Sequence, residues 1–296
     1  MTLSCLHTHT TFCDGAADME TMCQAAFDRG FESIGFSSHA PIAKKTGIKS
    51  GWHLPGERLD EYLNGALAAR RRWKGRLRVF LSLEVDYIQD LCGPADRDIQ
   101  ELPLDYVIGA VHYVLSPKTG EPVEVDCAGE KFLPILRDRF DNDGSALCDA
   151  YYDAYGAMIR AGGCDILAHM DLVKKNNGPF GFFSPGDPRY TRRLAEMAAA
   201  AERLRRTTPD RPPVVEVNTG GLIRGRTAEC YPSRDLLRLL RERDIPLTIN
   251  ADAHAPEHLG GFYGQAREDM LAAGYTAALI FQGREDGASP WREERL

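Results

Sequence analysis

Seven short runs rich in apolar and β-branched residues divide the chain, at 3–7, 33–37, 78–84, 106–112, 165–169, 214–218 and 247–251. Segments of helical periodicity lie between most of them, at 19–29, 57–73, 147–161, 188–206 and 233–243, several closed by glycine. Strand and helix in alternation imply parallel strands joined by crossover helices, because a parallel return needs a connection too long for a hairpin. The expected class is therefore α/β, with the strands closing into a barrel. A last strand-like run, 277–281, either completes an eighth position or covers the barrel. No period of 20 to 50 residues repeats, and 207–213 is only a short loop, so residues 1–296 read as one domain. The longest insertion after a strand, 116–144, is rich in charge and turn residues and is a candidate lid or substrate loop.

The histidines fall where such a fold would gather them. His7 and His9 close the first run, His39 follows the second, His112 and His169 end the fourth and fifth, and His254 follows the seventh. Asp14, Glu84 and Asp252 stand at the same level after runs one, three and seven. In a parallel barrel the C-terminal strand ends share one face, so these residues converge although they are far apart in sequence. Packing alone favours apolar residues there. His7 and His9, two apart on a strand, send both rings to one side, and Asp252 with His254 repeats that spacing. His53 and His258 lack strand-end placement and read as non-ligands.

Composition excludes other classes. The formal charge of −7 gives no broad attraction to nucleic acid or anionic lipid. The eight cysteines form no CxxC pair and read as reduced thiols of a cytoplasmic protein. No leader pattern precedes the first strand run, and no stretch of about 18 apolar residues occurs, so neither secretion nor a membrane-spanning helix is expected.

The segments His7-Thr8-His9-Thr10, Cys13-Asp14-Gly15, Gly35 to Pro41, Leu83 to Tyr87, Gly109 to His112, Ala168 to Asp171 and Asn250 to His254 resemble the polymerase and histidinol phosphatase (PHP) superfamily, and within it most resemble histidinol phosphatases. The likeness runs in order from about residue 3 to residue 282. It implies a distorted TIM-like (β/α)7 barrel holding three divalent ions. One ion would take His7, His9, Glu84 and Asp252. A second would share Glu84 and add His112 and His169. A third would take Asp14, His39 and His254. The resemblance also implies hydrolysis of L-histidinol phosphate, a step of histidine biosynthesis; Glu84, His112 and Asp252, together with Arg224 from its loop chemistry, are expected to carry the catalysis.

Elementary chemistry agrees with a phosphoryl substrate. Three divalent ions less three carboxylates leave roughly three positive charges, which a phosphate dianion and a hydroxide neutralise. A hydroxide bridging two ions would attack phosphorus in line. Arg224, in the glycine loop after run six, is the leading phosphate binder, with Arg226 as competitor. Asp126 and Glu130 are candidates for the cationic end of histidinol. Asp171 and Lys174 are equally explained by surface pairing, and Tyr151, Tyr152 and Tyr155 by packing. Zinc, iron and manganese all suit nitrogen and oxygen donors. The same centre would serve other phosphoesters, such as nucleotides or cyclic phosphates, and a non-catalytic scaffold that keeps the barrel is the remaining rival.

Overall fold

The computed structural model describes residues 2–127, 129–209, 211–284 and 289–296. Its strands are β1 (Leu3–Cys5), β2 (Phe31–Phe36), β3 (Arg78–Leu81), β4 (Glu84–Asp86), β5 (Ile108–Ala110), β6 (Tyr113–Leu115), β7 (Pro122–Glu124), β8 (Ile166–Leu167), β9 (Val214–Asn218), β10 (Leu247–Asn250), β11 (Ala277–Phe281) and β12 (Trp291–Arg295). Parallel pairing orders them as β1-β2-β3 in one sheet and β10-β9-β8-β5-β4 in another.

The two sheets touch at both margins. Thr8 bridges Ala253 beyond the ends of β1 and β10, and His39 bridges Glu84 beyond β2. The run 78–84, expected as one strand, is bent at Ser82 and Leu83. Its amides still donate to the β2 extension, Ser82 N to Phe36 O and Glu84 N to Ser38 O. The bend hands the chain from β2 to β5, so β3 and β4 belong to different sheets yet continue one path.

Helices fill the connections, several of them started by local chemistry. Asp18 caps Met19–Asp28 by accepting from Thr21 N, and Asp143 caps Gly144–Ala161 by accepting from Ser145 N and Ala146 N. Pro188, fixed in φ, begins Pro188–Thr207 behind its Asp187 cap. Tyr151, Tyr152 and Tyr155 are fully buried on the Gly144–Ala161 helix, as packing residues should be.

Between the sheets a compact apolar cluster of Leu6, Phe80, Tyr106, Ile108, Ala110, Ile166, Ala168 and Phe281 fills the interior towards the N-terminal strand ends. The run 277–281 does not join the parallel sheets: β11 pairs antiparallel with β12 and brings Phe281 against Phe80 and Tyr106. The insertion 116–144 is folded. It completes the β6–β7 hairpin and then forms the helix Gly129–Phe140, whose Phe132 packs on Phe180 and Phe182. All eight cysteines are free thiols. Among the described residues, no helix is long and apolar enough to cross a membrane.

Candidate metal centre

The loops after the strands bring all nine residues expected from the sequence to one place. His7 Nε2 lies 3.2 Å from Glu84 Oε2, and His9 Nε2 lies 3.2 Å from Asp252 Oδ1 and 3.5 Å from Glu84 Oε2. Donors held about 2.1 Å from one ion sit roughly 3.0–3.5 Å apart, so this spacing suits a shared cation. On the other carboxylate oxygen, Glu84 Oε1, His169 Nε2 approaches to 2.9 Å and His112 Nε2 to 3.5 Å. Glu84 thus faces two histidine sets with two oxygens. His254 Nε2 lies 3.2 Å from Asp14 Oδ2, and His39 Nε2 lies 3.7 Å from Asp14 Oδ1.

The grouping is more interlocked than the three separate sets suggest. His9 turns Nδ1 towards Asp14 while Nε2 faces Asp252, and His39 turns Nδ1 to 2.9 Å from Glu84 Oε2. The side chains capable of sharing an ion are accordingly His9, Asp14, His39 and His254; His7, His9 and Asp252; and His39, Glu84 and His112.

Unsatisfied atoms converge on the same point. His7 Nε2, His9 Nε2, His39 Nδ1 and Glu84 Oε2 are buried with no hydrogen-bond partner. Buried polar atoms are rarely left so, because the lost hydration is not recovered. A cluster of them, all donors of lone pairs, fits divalent cations. Protonation behaviour agrees. Burial, helped by the neighbouring His254 and His39 rings, lowers His9 to a pKa of about 3 and keeps one ring nitrogen's lone pair free. Burial opposes a charge on His112 too, but Asp86 and Glu84 outweigh it and raise it to about 10. Glu84 and Asp252, although buried, are held well below the usual carboxylate range, by surrounding histidines and, for Asp252, first by Arg224. The site favours added positive charge.

Local backbone features deliver these groups. An added Cβ on Gly15 would meet Thr10 N at 2.4 Å, so only glycine lets the 10–15 turn fold tightly enough to return Asp14 towards His9. Strand alternation places Ile166 and Ala168 in the inner cluster and would send the next side chain away. His169, with φ at 24°, breaks that alternation and reaches Glu84, and Asp252 has φ at 50°. Left-handed backbone at non-glycine residues is uncommon and concentrates at functional sites.

Two acids that the sequence reading passed over hold the rings from behind. Glu216, fully buried, accepts from His169 N, Asn218 Nδ2 and Asn250 Nδ2 and lies 3.0 Å from His7 Nδ1. Asp86 lies 2.9 Å from His112 Nδ1 and 2.8 Å from Nε2 of the buried His53. Such carboxylates fix ring orientation and leave the opposite nitrogen facing the centre. The signals were present: Glu216 interrupts an otherwise apolar strand, and Asp86 shares a strand face with Glu84. His53 is thus tied to the site without facing its centre, and His258 only accepts a hydrogen bond from His254 N.

A cavity of about 260 Å³ opens above the cluster, walled by Trp52, Glu124, Asp126, Lys175 and Arg224 and by the ligand candidates other than His7 and His9. Arg224 reaches over from the Gly220–Ile223 turn, donating from Nη2 to Asp252 Oδ2 at 2.8 Å and from Nη1 to Asp252 O at 2.9 Å. A Cβ on Gly220 would lie 2.6 Å from Arg224 Nη2, so the glycine makes room for the guanidinium. Arg226 faces a different cavity, with Lys174, Tyr190 and Arg234, and Glu130 is exposed on its helix away from the pocket. Lys174 pairs with Asp171 and Glu229.

Residues 6–220 match the model of the PHP domain. The chain belongs to the PHP domain family. Its family relatives include a probable histidinol-phosphatase of Deinococcus radiodurans, 29% identical over 90% of this chain and 92% of that one. The histidinol-phosphatase of Bacillus subtilis is 24% identical over 87% of this chain and 95% of its own length. Among solved structures, a Lactococcus lactis histidinol phosphate phosphatase complexed with zinc, L-histidinol and phosphate superposes with a TM-score of 0.66 at 18% identity, covering 96% of this chain and 99% of that one. A Listeria monocytogenes protein provisionally named a histidinol phosphatase gives a TM-score of 0.76 at 20% identity, covering 88% and 99%. These PHP structures share the α/β fold.

Proposed function

We propose that the chain is a metal-dependent phosphomonoesterase that hydrolyses L-histidinol phosphate to L-histidinol and phosphate. The observation that carries this reading is the convergence of unsatisfied His7, His9, His39 and Glu84 atoms, the last two lining a small cavity that Arg224 also walls. Relatives matching along most of their length and named for this activity support the substrate. The strand order and the two bridges between the sheets support a distorted seven-stranded barrel in a single domain, with the centre at the C-terminal strand ends.

His7, His9, Asp14, His39, Glu84, His112, His169, Asp252 and His254 would hold three divalent ions, of zinc, iron or manganese. Ions bound there supply a water of lowered pKa and polarise phosphate oxygens. Glu216 and Asp86 keep the His7 and His112 rings aimed inward. Arg224 uses two nitrogens on Asp252 and retains further N–H groups for a phosphate oxygen.

The charge balance changes once the buried acids are counted. Six positive charges less five carboxylates (Glu84, Asp252, Asp14, Asp86 and Glu216) leave roughly one, and Arg224 makes it roughly two, which a phosphate monoester dianion offsets before any hydroxide is counted. A histidine-biosynthetic enzyme of this kind would work in the cytoplasm, where its eight thiols stay reduced.

The test is phosphate release by metal-replete protein from L-histidinol phosphate beside nucleotides, sugar phosphates and cyclic phosphates, each with a chelator control. Chelator-sensitive preference for L-histidinol phosphate is expected. Comparable or faster release from the other esters would overturn the substrate but leave the centre standing.

A further inference from the structure

The cavity above the centre is lined by Arg224 and, from the end of the β6–β7 hairpin, by Glu124 and Asp126, with Lys175 beside Asp126. Asp126 already has a counter-charge, since Lys175 Nζ pairs with its carboxylate and donates to its carbonyl oxygen at 2.8 Å. Glu124 forms no ion pair and no hydrogen bond with any described side chain. Burial, and then the like charge of Asp126, push its pKa up against the opposing pull of Lys131, His112 and Lys175. An ionised Glu124 therefore lacks a full counter-charge inside the pocket.

Its position is fixed. Glu124 pairs with Tyr113 in the hairpin register, and Val125 N donates to His112 O at 2.8 Å, so the hairpin is tied to the chain that carries His112. The indole of Trp52 lines the same cavity, with its ring centroid 4.5 Å from that of His39 and stacked at 3.8 Å on His53. A phosphate group gains nothing from a bare carboxylate and is repelled by it. An acid beside an aromatic ring is a setting for an organic cation.

We propose that Glu124 is a specificity-determining residue: it receives the cationic amine of a phosphorylated amino alcohol in the cavity that Trp52 also lines, while the ester phosphate lies towards Arg224. This rests on the phosphomonoesterase reading, but not on histidinol being the particular alcohol. It also replaces the sequence expectation for this role, in which Asp126 and Glu130 were the candidates. Asp126 is spent on Lys175, and Glu130 is outside the pocket.

The experiment compares metal-replete wild type, E124Q and E124K on L-histidinol phosphate, ethanolamine phosphate and the neutral propyl phosphate. E124Q should lose about 10- to 100-fold in kcat/KM on the two cationic esters, mainly through KM, and change less than about twofold on propyl phosphate. E124K should lose more on the cationic esters only. Equal changes on all three esters, or none on the cationic pair, would overturn the role of Glu124. A wild type that prefers ethanolamine phosphate to propyl phosphate, loses that preference in E124Q and ignores L-histidinol phosphate would keep Glu124 in its role and remove histidinol as the substrate. Metal content and thermal midpoint of each variant separate these outcomes from misfolding.

Discussion

The two ends of the parallel strands are built on opposite principles. At the N-terminal end Phe281, Phe80, Tyr106 and Trp291 meet ring to ring, and Asp165 is fully answered by Arg211, Arg284 and Val107 N. At the C-terminal end histidines and carboxylates are buried with key atoms unanswered. The first arrangement stabilises without further partners. The second is costly as it stands and becomes favourable when cations arrive. One end therefore holds the fold, and the other is held ready by it.

The sharpest way to break this contrast is at Glu84. Replacing Glu84 with Gln removes the charge that both histidine sets face, so turnover should fall by about 10³-fold or more, while the metal-free protein stays folded with a lowered thermal midpoint because the histidines lose their counter-charge. Phosphate release and calorimetry read the two arms. The same loss is expected of His112→Ala, and retained activity in either variant would refute the ligand assignment.

Next in size comes the opposite end. Phe281→Ala should cost about 3–5 kcal/mol in urea unfolding, because it empties the space between Phe80 and Tyr106, yet leave metal bound per folded molecule unchanged. A change in metal stoichiometry would show that the two ends are not separable. Glu216→Gln lies between the ends in character. It keeps the shape but removes the charge behind His7, and metal affinity should weaken by about 10- to 100-fold in a competition titration. An unchanged affinity would mean that Glu216 is only packing.

The smallest effect tests a region that belongs to neither end. Asp18→Ala at the start of the first helix should cost about 1 kcal/mol without touching activity. The backbone N–H of Thr21, chiefly, holds the Asp18 carboxyl below its ordinary pKa. A depressed folded-state pKa gives stability above the unfolded value and loses it as pH falls through the folded value. The gap between wild type and variant should accordingly close on acidification below about pH 4.

Much of the rim was legible because chemistry-bearing residues interrupt strand patterns: a histidine or acid at the end of an apolar run has no packing reason to be there. The strand runs at 214–218 and 277–281 appear with the same limits in the structure, and 106–112 and 165–169 shrink to Ile108–Ala110 and Ile166–Leu167, their C-terminal ends turning out of the ladder into the site while Tyr106 and Asp165 lie at the opposite end. What stayed hidden was relational. Nothing local in Glu216 or Asp86 says which ring it holds, and nothing in 116–144 says that a hairpin and a helix form there, since its hairpin strands are three residues each. The pairing of β11 with β12 was equally invisible, because the charged run Trp291–Arg295 carries no alternation. His39 was assigned to one ion set, whereas its ring stands between Glu84 and Asp14, a distinction set by ring orientation rather than by sequence spacing.

The central claim, that the buried rim is a divalent metal centre, is tested most directly by anomalous scattering from crystals of metal-replete protein. The account predicts strong peaks among His7, His9, Glu84 and Asp252, and beside Asp14, His39 and His254, all lost after chelation. Crystals of replete, folded protein with no anomalous density at these residues would contradict it.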